Sequence, residues 1–354
     1  MSRSLRSSGG IASLALAWAV ASAAAAEEPP PKHLPDHTPA QWLERMDHAL
    51  TTRNYDGTFS HWQGGRVEML RIIHRVQDGT VSERLASLDG SGREFIRTGS
   101  SLACYLPDQR TVLVEHQPDA SLLLGGLPTI DAADSRFYEI TSMGATRLLG
   151  HKAQLITVNP KDEYRYGYRL WIDEANAMPL KTQLCDGHGQ VIEQVVFASL
   201  DMKRRIPDSA FRPEISTEGF HWLRNESGPS LAEGGTPVLW DTLKLPPGFR
   251  MSARAAQVMP GSEDPVAHLV FTDGIASVSV FVESHASGDS DHPQSGAAQV
   301  GSSSAFSAVI EGHQVTAVGE VPPRTVRVIV DSVRVQSSQS PPPPLSPPAL
   351  SLHH

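Results

Sequence analysis

The stretch Leu269–Ser284, LVFTDGIASVSVFVES, is two runs rich in β-branched and aromatic residues separated by Asp273-Gly274. An Asp-Gly dipeptide supplies the positive-φ positions of a tight turn, so the stretch is read as a β-hairpin. Strand side chains alternate between faces. After the turn, Val278, Val280 and Val282 therefore share one face, and Ser277, Ser279 and Phe281 the other. No residue in the hairpin looks catalytic, and its plainest reading is part of a small β-domain.

Working outward, the rest of the chain reads the same way. It has 354 residues with 28 Gly and 27 Pro. That length suggests two globular domains plus extensions, and that composition a turn-rich, mainly β (α+β) chain. Between Tyr55 and about Leu200, β-type runs alternate with Gly-Gly, Asp-Gly and Pro-Asp turns. They cover Gly57–Trp62, Arg66–Arg75, Val81–Leu88, Glu94–Arg97, Ser101–Leu106 and Thr111–His116. After Leu122–Asp134, which reads as helix or loop, come Ala153–Asn159, Tyr164–Asp173, Leu180–Cys185 and Val191–Leu200. Even spacing with short turns predicts a meandering antiparallel sheet. In Tyr164–Asp173, Tyr164, Tyr166, Tyr168, Leu170 and Ile172 fall on one face, and Arg165, Arg169 and Trp171 on the wetter one. The tyrosine stripe is read as cross-strand packing.

One helix precedes this sheet. Thr38-Pro39-Ala40-Gln41 has an N-cap, a proline at the first helical position and a capping-box glutamine, and Trp42, Leu43, Met46 and Leu50 follow at helical spacing. A large sheet with so few helices must curve over its inner face or leave an apolar groove, a natural container for acyl chains. Beyond the sheet, Met202–Gly235 reads as a connector, with the basic run Lys203-Arg204-Arg205 at its start, Phe220 and Trp222 as anchors and Gly234–Pro237 as a hinge. The second domain holds Leu245–Phe249, the hairpin, Ser304–Ile310, Gln314–Val318 and Thr325–Ser332, the last read as a strand from the alternation of Val326, Val328 and Val330. Ser284–Gly296 is a Ser/Gly-rich loop and Gln336–His354 a disordered Pro/Ser tail.

The first 26 residues are read as a signal peptide. Arg3 and Arg6 precede apolar Ile11–Val20, and Ala24-Ala25-Ala26 offers a cleavage site. The formal charge is −9; without residues 1–26, 28 basic residues face 39 acidic ones, net −11. That balance argues against nucleic acid or an anionic membrane as a partner through bulk charge. The two cysteines, Cys104 and Cys185, permit one disulfide in an oxidising compartment; two buried free thiols are the alternative, and the sequence leaves both open. The 15 histidines show no metal-ligand spacing, and no zincin, P-loop, nucleophile-elbow or dinucleotide motif is present. No cofactor, metal or catalytic residue is assigned, and the expectation is a protein that is not an enzyme.

Three blocks carry a resemblance to a family. Tyr55-Asp56-Gly57-Thr58-Phe59 is one. Pro160–Lys181, PKDEYRYGYRLWIDEANAMPLK, is the second. Leu269–Glu283 with Val315–Val330, VTAVGEVPPRTVRVIV, is the third. In this order they resemble the RseB/MucB family of periplasmic sigma-E regulatory proteins, and the first domain also resembles LolA-like lipoprotein carriers. The resemblance implies a LolA-like curved antiparallel half-barrel with covering helices over residues 38–210, a linker over 211–236 and a smaller β-rich partner-binding domain over 237–335. It implies a periplasmic protein that binds the periplasmic domain of an RseA/MucA-like anti-sigma factor and shields it from regulated proteolysis. Lipid A, lipopolysaccharide or lipoprotein acyl chains would trigger release; a homodimer is left open. On that reading the partner surface comprises Phe271, Asp273, Ser277, Ser279 and Phe281, from the hairpin face not packed by the valines, with Arg205 at the domain junction. The lipid container comprises Phe59, Leu102, Leu106, Leu113, Tyr166 and Phe197. A LolA-like lipid carrier is the alternative, and a periplasmic hydrolase a more distant one.

Overall fold

A computed structural model of the chain describes residues 37–116, 127, 136–203, 205–225, 240–258, 265–284 and 295–335. Residues 1–26, read as a signal peptide, the Leu122–Asp134 stretch, the stretch Gly234–Pro237 read as a hinge, the Ser/Gly-rich loop and the Pro/Ser tail lie wholly or largely outside them.

Helix α1 spans Pro39–Thr52 and begins as its capping box dictates. Thr38 Oγ1 accepts from the Gln41 amide at 3.2 Å, and Gln41 Oε1 accepts from the Thr38 amide at 2.8 Å. Such a cap contributes about 1 kcal/mol. Trp42, Leu43, Met46, Ala49 and Leu50 form its buried stripe.

The next twelve strands make one sheet. They are β1 (Tyr55–Gln63), β2 (Arg66–Gln77), β3 (Thr80–Ser87), β4 (Glu94–Thr98), β5 (Ser101–Leu106), β6 (Thr111–His116), β7 (Tyr138–Leu148), β8 (His151–Pro160), β9 (Gly167–Asp173), β10 (Pro179–Cys185), β11 (Val191–Met202) and β12 (His221–Asn225). The order across the sheet is β12-β6-β5-β4-β3-β2-β1-β11-β10-β9-β8-β7. Two antiparallel meanders, β1–β6 and β7–β11, are thus sewn together where β1 pairs with β11. The α1 stripe packs into a core with Tyr55, Phe59, Ile72, Leu170, Ile172 and Phe197. Phe59 and Phe197 meet at 5.5 Å between ring centroids. Gly57 makes room for this, because a Cβ there would sit 2.6 Å from the Phe197 ring.

After β11, the described residues 205–225 fold back onto the first sheet. Phe211, Ile215 and Phe220 pack against Ile96, Tyr105 and Val112 on the other face of the first sheet. Strand β12 then pairs in parallel with β6, and Trp222 meets Tyr105 edge-on at 6.4 Å. This segment completes the sheet edge, which the connector reading did not anticipate.

The second sheet has six strands: β14 (Arg250–Val258), β15 (Pro265–Thr272), β16 (Ser277–Ser284), β17 (Gly296–Val300), β18 (Ser303–Ile310) and β19 (His313–Gly319), ordered β14-β15-β16-β19-β18-β17. A short ribbon of β13 (Trp240–Thr242) and β20 (Val333–Val335) lies beside it. Helix α2, Pro323–Ser332, covers one face of this sheet.

Several expectations are corrected here. The segment Thr325–Ser332 is helical, not extended. Pro323 at the first helical position starts the helix, and Val326, Ile329 and Val330 are the buried positions at i, i+3 and i+4, with Val328 only half-buried. The sequence between Tyr164 and Tyr166 is a bend before β9, in which Asp162 Oδ1 accepts from the Tyr164 amide at 3.0 Å. The tyrosine stripe therefore shrinks to Tyr168, Leu170 and Ile172, and Arg165 is buried rather than on a wet face. Strand β7 went unread because a bulge at Gly144 breaks its alternation. Of the two readings left open for the cysteines, the structure has the second: both thiols are free. Cys104 on β5 and Cys185 on β10 are six strands apart, about 29 Å along the sheet at ~4.8 Å per strand, whereas a disulfide needs Cα atoms within ~7 Å.

Candidate functional site at the junction of the two sheets

The hairpin that organised the sequence reading inserts its turn between the sheets. Its loop has four residues, Asp273 to Ala276, between the paired Thr272 and Ser277. Only Gly274 has positive φ (103°). Asp273 shapes the loop through its side chain instead: Oδ1 accepts from the amides of Ile275 (2.9 Å) and Ala276 (2.7 Å).

The other carboxylate oxygen faces the first sheet. Asp273 Oδ2 accepts from the Tyr138 hydroxyl at 3.0 Å and lies 3.2 Å from Arg165 Nε. The Arg165 and Asp273 side chains are both fully buried. Arg165 also donates to the carbonyl of Pro247, and its guanidinium carbon lies 4.8, 5.4 and 5.3 Å from the ring centroids of Phe137, Tyr138 and Phe249. Burial first, and the Asp273 charge second, push the Tyr138 hydroxyl pKa far up, so it stays a donor. This is a dry pin between the sheets. A buried ion pair is costly to break from one side, about 3–5 kcal/mol, because the remaining charge loses its partner.

A second contact, wetter, joins the ends of two hairpins. Gln63 closes β1, Glu193 lies opposite it on β11, and Ser302 sits in the turn between β17 and β18. Gln63 Nε2 donates to Glu193 Oε2 (2.9 Å) and Ser302 Oγ (2.8 Å). Ser302 Oγ is 2.7 Å from Glu193 Oε2 and 3.1 Å from Glu320 Oε1, while His61 Nε2 is 2.9 Å from Glu193 Oε1. Gly301 allows the approach: its φ is +60°, and a Cβ would collide with the Gln63 side chain. A cleft of about 520 Å³ opens beside this contact, lined by His61, Gln63, Arg66 and Glu68 from the first sheet and by Gln299, Val300 and Gly301 from the second. A third contact joins α2 to the bend before β9: the Thr325 hydroxyl donates to the Tyr164 carbonyl at 2.7 Å, and Arg324 pairs with Glu163 at the surface.

Against this geometry the residues singled out from sequence divide. Ser277, Ser279 and Phe281 do lie on the hairpin face away from the valines, which are buried. Phe271 does not. It is the direct cross-strand partner of Val278, so it shares the valine face and is buried in the core under α2. Asp273 is buried in the pin, not on a surface. Arg205 is not at the junction. Strand β11 runs from Glu193, beside Ser302, to Met202 at its far end, about 30 Å at ~3.3 Å per residue, and Arg205 lies exposed beyond that end. Of the container residues, Phe59, Leu102, Leu106, Leu113 and Phe197 all lie on the sheet face that α1 covers, as the cross-strand register requires. Phe59 and Phe197 are sealed in the core, whereas Leu106 and Leu113 are half-buried beyond it, next to Phe95 and Cys104. Tyr166 is buried near the junction, where its hydroxyl bonds Ser304. A polar row flanks the strip: His74 Nε2 and Arg97 Nη1 lie 3.9 and 3.6 Å from the buried Glu83 carboxylate. Sequence reasoning missed Arg165, Glu193, Ser302 and Glu320, which carry no local signal because their partners lie far along the chain.

The sequence profile of the MucB/RseB N-terminal domain matches residues 38–215, and that of the MucB/RseB C-terminal domain residues 235–334. The chain belongs to the MucB/RseB family. It is 30% identical over 311 residues to the Sigma factor AlgU regulatory protein MucB of Pseudomonas aeruginosa, covering 84% of this chain and 92% of that one. It is 26% identical over 305 residues to the Sigma-E factor regulatory protein RseB of Salmonella typhimurium, covering 84% and 91%. Among solved structures it matches MucB in complex with MucA(peri), with a TM-score of 0.65 at 26% identity over 85% of this chain and all of that one. The Pseudomonas aeruginosa MucA/MucB complex gives 0.64 at 28%, over 85% of this chain and 99% of that one.

Proposed function

We propose that this MucB/RseB-family chain is a periplasmic negative regulator of a sigma-E-type envelope stress response. It binds the periplasmic domain of an RseA/MucA-like anti-sigma factor and protects it from regulated proteolysis; lipid or lipopolysaccharide triggers release. The observation that carries this reading is the match of both sheets together to MucB bound to MucA(peri).

The partner surface is the outward face of the second sheet. Cross-strand register sets Val270, Ser279, Val318, Ala305 and Ala298 in one row across five strands. Phe281 stacks on His268 in the neighbouring row at 4.5 Å, and burial lowers the His268 pKa. A row of small, uncharged side chains suits an apolar partner segment, because docking desolvates no charge. The lipid site is the strip of buried Leu102 with half-buried Leu106 and Leu113, beyond the reach of α1. For lipid to displace the partner, it must bind the released arrangement of the sheets better than the partner-bound one.

Calorimetry with the periplasmic segment of the host's anti-sigma factor, with and without lipid A, tests the reading. Binding that Phe281→Asp weakens at least tenfold and lipid A competes away is the expected result. Absence of binding by the wild-type chain overturns it.

A further inference from the structure

One hydroxyl at the cleft contact is asked to satisfy three partners, and its proton count is informative. Ser302 owns a single proton. The shorter contact, to Glu193 Oε2 at 2.7 Å, takes it, and Gln63 Nε2 at 2.8 Å donates to the Ser302 oxygen. The remaining contact, Ser302 Oγ to Glu320 Oε1 at 3.1 Å, then sets oxygen lone pairs face to face unless Glu320 brings a proton of its own. An ionised Glu320 would also stand beside the Glu193 carboxylate with one hydroxyl between them, and like charges so placed disfavour joint ionisation.

We propose that Glu320 is protonated when the two sheets meet here, which makes the contact an acid-closed latch: it holds in mild acid and slackens as Glu320 and then His61 give up their protons. The latch spans both sheets, with His61, Gln63 and Glu193 from one and Ser302 and Glu320 from the other, so its state sets how firmly the sheets are held at the cleft. The charged and titratable groups facing it are His61 on β1, Arg66 and Glu68 on β2, Glu193 on β11, Tyr166 before β9 and Tyr168 on β9.

The direction of each shift agrees. Glu320 as a whole residue is exposed, yet desolvation of its carboxyl first, and the Glu193 charge second, raise its pKa above the usual carboxylate value. The hydrogen bond to Glu193 raises that of His61. Burial pulls Glu193 upward, but hydrogen bonds from His61, Ser302 and Gln63 outweigh it and leave its pKa lowered. A group whose pKa is raised by closure favours closure below that pKa and stops doing so as pH rises through it. Glu320 therefore weakens the latch first, from above pH 4.5, and His61 follows above pH 6.5. Protonation of Glu193, below its own depressed pKa, sets the acid limit.

The proposal stands apart from the regulator reading, because its test reads the spacing of the sheets and not partner binding. Spin labels on cysteines placed at the exposed positions Thr80 and Ala298 report that spacing by pulsed electron resonance in the full chain, with Cys104 and Cys185 replaced by alanine. The expected result is a narrow distance distribution near pH 4.5 that broadens by about pH 8. Glu320→Gln, which donates as the protonated acid does, stays narrow near the acid end and broadens less than the wild type by about pH 8, where only His61 has given up its proton. Ser302→Ala is broad at both, with circular dichroism confirming that each variant is folded. A wild-type distribution that does not change with pH, or a Glu320→Gln distribution that follows the wild type, overturns the proposal. So does a Glu320 carboxyl that titrates, by carbon-13 NMR, at or below its ordinary value.

Discussion

The two sheets touch through contacts of opposite character. At the Asp273 turn, an ion pair is walled in by three aromatic rings, and each carboxylate oxygen has its donors. At the cleft, two carboxylates and an amide share one serine, a histidine holds one of those carboxylates, and His61 and Glu193 each keep about a fifth of the side chain exposed. The dry contact is strong because water cannot replace what a missing partner leaves behind. The wet one is adjustable, because water and protons reach it. A junction with one contact of each kind can loosen at one end while it stays fixed at the other.

The contrast can be broken at the pin first. Asp273→Ala leaves the buried Arg165 with only the more distant Asp162 carboxylate, 3.5 Å away, and removes the acceptor of two turn amides, so urea unfolding should show a loss of about 3–5 kcal/mol. Arg165→Met combined with Asp273→Asn should recover much of it, since no charge is then stranded. A loss under ~1 kcal/mol for Asp273→Ala would mean that water already reaches the pin.

Thr325→Val sharpens the comparison. It keeps the shape of the side chain and leaves the Tyr164 carbonyl without its 2.7 Å donor, an expected loss of about 1 kcal/mol in the same assay. Arg324→Ala removes a pair whose side chains are 54% and 62% exposed, and should cost well under ~1 kcal/mol and less still in high salt.

A slope, rather than a step, separates two histidines. The His74 pKa is lowered by burial, against a hydrogen bond to the Arg53 carbonyl that works to raise it. The unfolded chain therefore binds its proton first, and His74 costs stability as pH falls below 6.5. His61, raised by Glu193, does the reverse and contributes stability that is lost as pH rises above 6.5. Urea midpoints across pH 5–8, about 1.5 units either side of an ordinary histidine pKa, should fall less on the acid side for His74→Gln than for wild type.

The meander was legible because its signals are local. The boundaries of β5 and β6 follow from Ser101–Leu106 and Thr111–His116 alone, and α1 from its capping box. Helix α2 was hidden because Val326, Val328, Ile329 and Val330 satisfy a two-residue period nearly as well as a helical one, and β-branched residues favour the former. Pro322-Pro323 was the competing signal. Phe271 was set on the wrong face because alternation fixes the faces within one strand, whereas the register across a four-residue loop decides which faces match. The junction was not legible at all. Arg165 and Asp273 are 108 positions apart and Gln63 and Ser302 are 239 apart, so each had only its own neighbours to be read against.

The two unpaired cysteines make the fold indifferent to its redox surroundings. Burial pushes the Cys104 thiol up to about 11 and raises that of Cys185, so neither presents much thiolate to an oxidant or a mixed disulfide at neutral pH. The chain therefore needs no oxidase to mature and loses nothing to a reductant. Dithiothreitol should leave its melting temperature where it was.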